Sequence, residues 1–89
     1  MSPADHDTLR KRLLWRATHR GIKEMDILVG GYAKAHLGSM SERDLRHFEH
    51  LLELPDQDLL AWATKQEPVP GHLESIMLAD ILRFRPENG

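Results

Sequence analysis

Between residues 19 and 26 the chain reads His19-Arg20-Gly21-Ile22-Lys23-Glu24-Met25-Asp26. An arginine and a carboxylate stand four positions apart across a helix-breaking glycine, which places both at an exposed elbow between two helices. Glu24 and Asp26 fall in the first turn of the second helix, where the helix dipole favours negative charge. A purely structural role is the alternative. Glu24 then caps its own helix and pairs with Arg20, a surface contact worth roughly 0–1 kcal/mol.

Other residues with chemical potential are less well placed. His47 and His50, two of six histidines, are three apart and share a helix face, but a metal site needs a third ligand and an outer shell. The run His47-Phe48-Glu49-His50 is not the His-Glu-x-x-His of zinc proteases, and no metal is expected. Gly30-Gly31 lacks the preceding strand and the spaced glycines of a phosphate-binding loop. With no cysteine in the chain, thiolate nucleophiles, disulfides and iron–sulfur ligation are excluded. A basic helix, a glycine turn and a second helix imitate a DNA-binding helix-turn-helix. The second helix, however, carries Glu24 and Asp26 and few groups for base edges, so nucleic acid is not expected as a partner.

The elements that must hold the elbow follow from the punctuation. Breaks at Arg20-Gly21, Leu37-Gly38-Ser39, Leu54-Pro55-Asp56, Pro68-Val69-Pro70-Gly71 and Pro86 delimit five segments. The first carries Leu9, Leu13, Leu14 and Ala17 at helical spacing. It begins at Ser2-Pro3 or at Asp7-Thr8, and Gly21 is expected as its left-handed stop. The second runs from Ile22 to Leu37 with Ile22, Met25, Leu28/Val29, Tyr32 and His36 on one face. A strand through Ile27-Leu28-Val29 has no partner strand, so helix is expected there. Gly30-Gly31 then marks a close approach of another backbone, since each mid-helix glycine costs about 1 kcal/mol relative to alanine. Ser41 to Asp44 resembles a capping box ahead of Leu45, Phe48, Leu51 and Leu52. Asp56 is expected to cap a fourth helix with Leu59, Leu60, Trp62 and Ala63, and a fifth presents Leu73, Ile76, Met77, Ile81 and Phe84. None of these stripes can be buried alone, so the expectation is an all-α, compact five-helix bundle. Its single domain spans residues 1–89, with 1–7 and 85–89 as flexible ends.

Composition agrees with that scale. The chain has 89 residues, 40% of them hydrophobic, enough for one small core. Its net charge of −2 divides unevenly: residues 1–23 carry a net +4 and residues 24–89 a net −6. No apolar run, Ile27-Leu28-Val29 included, approaches the ~20 residues that span a membrane. The acidic amino terminus, Met1 to Asp7, lacks a basic-then-apolar leader pattern. A cytoplasmic protein that does not insert into a membrane is expected.

Arg20-Gly21-Ile22-Lys23-Glu24 resembles the Arg-Gly-x-x-Glu signature of the succinate dehydrogenase assembly factor 2 family, the bacterial and mitochondrial flavinylation factors. Leu13-Leu14-Trp15-Arg16, Met25-Asp26-Ile27-Leu28, Leu51-Leu52-Glu53 with Asp56 and Asp58-Leu59, and Trp62 are similar to that family's layout, from about residue 9 to residue 84. The resemblance implies a five-helix assembly chaperone, not a conventional enzyme. Such a chaperone binds the flavoprotein subunit of succinate dehydrogenase, and a related fumarate reductase flavoprotein, and promotes covalent attachment of FAD to a client histidine. It implies no tightly bound cofactor of its own; the FAD and the histidine belong to the client.

On that reading Gly21 lets the elbow approach the client backbone, Arg20 offers a fork of donors to client oxygens, and Glu24 accepts from the client or orients Arg20. Arg16, Lys23, Asp26, Gly30, Gly31 and Tyr32 are expected as interface support, and Arg10, Lys11, Arg12 and Arg16 as a basic face that steers an acidic client surface. The factor is expected to act as a monomer. A helical adaptor or antitoxin-like module with a non-flavin partner is the competing class.

Overall fold

Amphipathic stripes of the kind read above need a shared interior, and the computed structural model, which describes residues 3–85 and side chains from His6 onward, shows how they share it. The order is α1 (Pro3–Thr18), α2 (Lys23–His36), a 3-10 turn (Leu37–Ser39), α3 (Glu42–Leu51), α4 (Asp56–Ala63), a second 3-10 turn (Gly71–Leu73) and α5 (Ile76–Leu82). Among the described residues there is no strand, and α2 runs unbroken through Gly30-Gly31. Of the two possible starts, α1 takes the earlier one at Pro3. Residues 3–7, expected as part of a flexible end, are thus helical; residues 1–2 and 86–89 lie outside the described residues.

All five helices contribute to one core. Leu9, Leu13 and Ala17 from α1 meet Met25, Val29, Tyr32 and Ala33 from α2, Leu45, Phe48 and Leu51 from α3, Leu59 and Trp62 from α4, and Leu78 and Ile81 from α5. Phe48 is wholly enclosed, so its truncation to alanine falls in the range of about 3–5 kcal/mol for buried aromatics. The helix ends are tied down locally. Ser41 Oγ accepts from the Asp44 amide at 3.2 Å, the cap expected from the sequence. Arg10 donates to the carbonyls of Leu37 (3.2 Å) and Met40 (2.9 Å), tying α1 to the turn that follows α2.

Three local expectations are corrected. No glycine has a positive φ among the described residues, so Gly21 is not a left-handed stop; α1 ends at Thr18, whose hydroxyl donates to the Leu14 carbonyl at 2.9 Å. His36 is exposed, its ring leaning on Tyr32 at 4.5 Å. In α5 the buried pair is Leu78 and Ile81, while Ile76 is 83% exposed. Ser75 caps this helix through the Leu78 amide. With the start fixed there, Ile76 lies roughly 200° around the helix from Leu78, on the outer side.

Candidate functional site

The elbow is built by a latch between its own arginine and a distant aspartate. Arg20 Nε donates to Asp56 Oδ1 at 2.6 Å, one terminal nitrogen to the Leu52 carbonyl at 2.7 Å, and the other to the Leu54 carbonyl at 2.8 Å. Leu52 and Leu54 follow the end of α3 and Asp56 opens α4. One planar guanidinium therefore joins the carbonyl-rich end of one helix to the first residue of the next, which a fork of donors does better than a point charge. The other oxygen of Asp56 accepts from the Gly21 amide at 2.9 Å, and Asp26 Oδ1 accepts from the Arg20 amide at 2.6 Å. Successive backbone amides, at residues 20 and 21, are thus held by carboxylates from α2 and α4.

This geometry revises the roles expected from the sequence. The Arg20 side chain is only 9% exposed, and its donors are taken up inside the chain rather than offered to a partner. Asp56, not Glu24, orients it. Asp26 braces the elbow from within. Asp56 was expected to cap α4, but the capping position is Pro55, which has no side-chain acceptor, and the Asp56 carboxylate goes to Arg20 and Gly21. Sequence reasoning missed Asp56 as a site residue. The available signal was its place, directly after Pro55, in the set of residues shared with the family layout.

What faces outward is a different set. Gly21, Lys23 and Glu24 are exposed, and Glu24 has no hydrogen-bond partner among the described residues. Nothing internal requires glycine at position 21: a Cβ there would meet Asp56 Oδ2 at 3.5 Å, an ordinary contact. Glu24 stands at the rim of a groove of about 280 Å³ that Leu28, Leu60, Ala63, Leu82 and Phe84 make apolar. Ile27, 44% exposed, separates this groove from a second, of about 510 Å³, bordered by Thr18, Lys23, Asp26, Gly31 and Lys34. Arg16 is half-buried in the last turn of α1.

Gly30 and Tyr32 are buried and so are corrected as interface residues. A Cβ on Gly30 would stand 3.1 Å from the Ala17 carbonyl oxygen, so this glycine does admit another backbone, that of α1. Gly31 admits a side chain instead: a Cβ there would lie 2.6 Å from the Phe84 ring. Burial, with help from Asp80 and Asp44, pushes the Tyr32 phenol above its usual value of 10.0.

The histidines of α3 do not converge. His47 Nε2 lies 3.1 Å from Ser75 Oγ, and among the described residues no group of three potential ligands is close enough for a metal. No described helix is long and apolar enough to cross a membrane. The outward-facing groups at the elbow are one free carboxylate, a lysine and a glycine backbone, with two grooves beside them.

Most of the chain matches a known family. A family model described as "Flavinator of succinate dehydrogenase" matches residues 11–85. The chain is 41% identical over 69 residues to the FAD assembly factor SdhE of Acetobacter pasteurianus, covering 78% of this chain and 63% of that protein. It is 36% identical over 85 residues to the mitochondrial succinate dehydrogenase assembly factor 2 of Yarrowia lipolytica, covering 92% and 59%. The corresponding protein of Dictyostelium discoideum is 36% identical over 72 residues, covering 81% and 51%. The chain thus spans between 51% and 63% of the length of these relatives. With the elbow lying inside the matched region, the chain belongs to the family of succinate dehydrogenase flavinators.

Proposed function

We propose that this chain is an assembly factor that docks through its elbow on the flavoprotein subunit of succinate dehydrogenase and promotes covalent attachment of FAD to that client. The observation that carries the reading is the division of labour within the signature. Arg20 is spent on holding the elbow, while Gly21, whose amide alone joins the latch, and the Glu24 side chain, which has no internal partner among the described residues, are exposed. The reacting groups, a histidine nitrogen and the flavin 8α carbon, both belong to the client. This chain contributes position: a rigid edge that holds client segments in a reactive arrangement converts an improbable encounter into a proximate one. Gly21 meets client backbone, and Glu24 accepts from client donors beside an apolar groove. The flavoprotein of fumarate reductase, built for the same cofactor chemistry, is a second client.

The match to a bacterial assembly factor supports action in a bacterial cytoplasm. The exposed large apolar side chains are spread over α1, α2 and α5, which supports a monomer, a point that sedimentation of the purified chain checks. Coexpression with the client tests the function, read as flavin fluorescence of the client on a denaturing gel. Wild type raises the signal; Glu24→Ala and Gly21→Ala lower it while melting like wild type, because neither disturbs an internal contact. Gly21→Arg lowers it further. If all three variants support attachment as well as wild type, the elbow is not the docking edge.

A further inference from the structure

Running up α1 from the elbow is a surface that the signature does not include. Lys11, Arg12 and Trp15 occupy positions i, i+1 and i+4 of α1, so they share one side of the helix; His19 follows its end, and all four are exposed. Leu9, Leu13 and Ala17, on the other side, are in the core. Trp15 is 62% exposed, although tryptophan is on average a highly buried residue.

Its ring is nevertheless held. The indole lies flat on the His19 imidazole, centroids 4.3 Å apart and planes 12° from parallel. The imidazole is fixed in turn: Nδ1 is 2.7 Å from the Trp15 carbonyl, which can only accept, so Nδ1 carries the proton. The Thr18 hydroxyl lies 3.1 Å from the same nitrogen. One indole face is therefore ordered and left in water, with Lys11 and Arg12 alongside and without ion-pair partners among the described residues. A large side chain whose rotamer is set before binding loses little entropy on docking, and tryptophan is enriched among the few residues that dominate interfaces. Flanking cations add steering toward negative charge. Arg10, expected in this basic face, is excluded from it because its guanidinium is tied to Leu37 and Met40.

We propose that Trp15, seated on His19 and flanked by Lys11 and Arg12, is the anchor by which this chain docks on an acidic surface of the flavoprotein client. The occupant follows from continuity and charge. His19 is bonded directly to Arg20, so the platform begins where the elbow starts, and its rim is basic. The inference rests on the assembly-factor reading and extends its contact surface along α1.

The test is a titration of purified client flavoprotein with wild type, Trp15→Ala, Trp15→Phe, Glu24→Ala and a Lys11→Glu, Arg12→Glu double variant. Trp15→Ala is expected to weaken binding about 30-fold or more, the loss typical of an interface hot spot, with an unchanged melting temperature. Trp15→Phe recovers most of that affinity. The charge-reversed variant associates more slowly and loses most of the salt dependence. Trp62 is already buried, so a blue shift of tryptophan emission on binding that is absent with Trp15→Phe reports Trp15. If Trp15→Ala binds as tightly as wild type while Glu24→Ala does not, the anchor is wrong and the docking elbow stands. If wild type itself fails to bind, both readings fall. If free FAD alone quenches Trp15, the platform takes a flavin and the proposal is overturned.

Discussion

Replacing Arg20 separates a residue that builds the elbow from one that touches the client. The guanidinium is 9% exposed and its Asp56 partner 18% exposed, so Arg20→Ala strands a carboxylate in a poorly hydrated place and leaves the Leu52 and Leu54 carbonyls without their donor. Breaking a buried pair by removing one partner costs about 3–5 kcal/mol. Water reaches the vacated carbonyls in part, which places the expected loss near the lower figure. A loss of about 3 kcal/mol lowers the melting temperature by roughly 12–24 °C, taking about 4–8 °C per kcal/mol for a domain of this size. Arg20→Lys keeps the charge but cannot reach Asp56 and both carbonyls at once, and the lost charge-assisted bonds cost about 1.5–3 kcal/mol.

Urea unfolding followed by circular dichroism measures each variant, and a double-mutant cycle with Asp56→Ala measures the pair. The double variant should be much less unstable than the sum of the singles, because both singles break the same contact. Client binding by Arg20→Ala should fall in step with the folded fraction. An Arg20→Ala chain that melts like wild type yet no longer binds the client would falsify the latch and restore Arg20 as a direct contact.

Two further outcomes follow from the packing of α2. Gly30→Ala must push α1 away by a few tenths of an ångström, since its Cβ meets the Ala17 carbonyl and Thr18 Cα. Overpacking of about 1–3 kcal/mol outweighs the roughly 1 kcal/mol gained in helix propensity. Gly31→Ala meets only the Phe84 ring, which can swing into the adjoining groove, so chemical denaturation should show the smaller loss there; the reverse order would mean that Phe84 is the more rigid neighbour. The single tyrosine allows tyrosinate absorbance to be read at Tyr32 alone. Its raised folded pKa means that the unfolded chain releases this proton first. Stability from this group is therefore intact below about pH 10 and falls as pH rises through the folded pKa. A native titration midpoint at or below that of the urea-unfolded chain would contradict this account.

Much of the molecule is legible in one dimension because helices are specified locally. Stripes at 3.6-residue spacing, the Ser41 cap, and proline and glycine breaks mark five helices and most of the core, from Leu9 and Leu13 to Phe48 and Ile81. The same local pattern places Arg20, Gly21 and Glu24 at a corner. Local rules fail where the answer depends on a residue far along the chain. Whether Arg20 faces inward was decided by Asp56, Leu52 and Leu54, more than thirty positions away, which come within reach only when α3 and α4 pack beside the elbow. Tyr32 and Gly30 share the signature's helix, yet α1 covers Gly30 and the core takes Tyr32. In α5, whose stripe reads plainly in sequence, the Ser75 cap and the packing of Leu78 turn Ile76 outward. The sequence by itself determined the helices, the corner and its family. Only the tertiary structure assigned Arg20 to the architecture and left Gly21 and Glu24 facing outward, because a guanidinium's choice between internal and foreign acceptors depends on what stands within 3 Å of it.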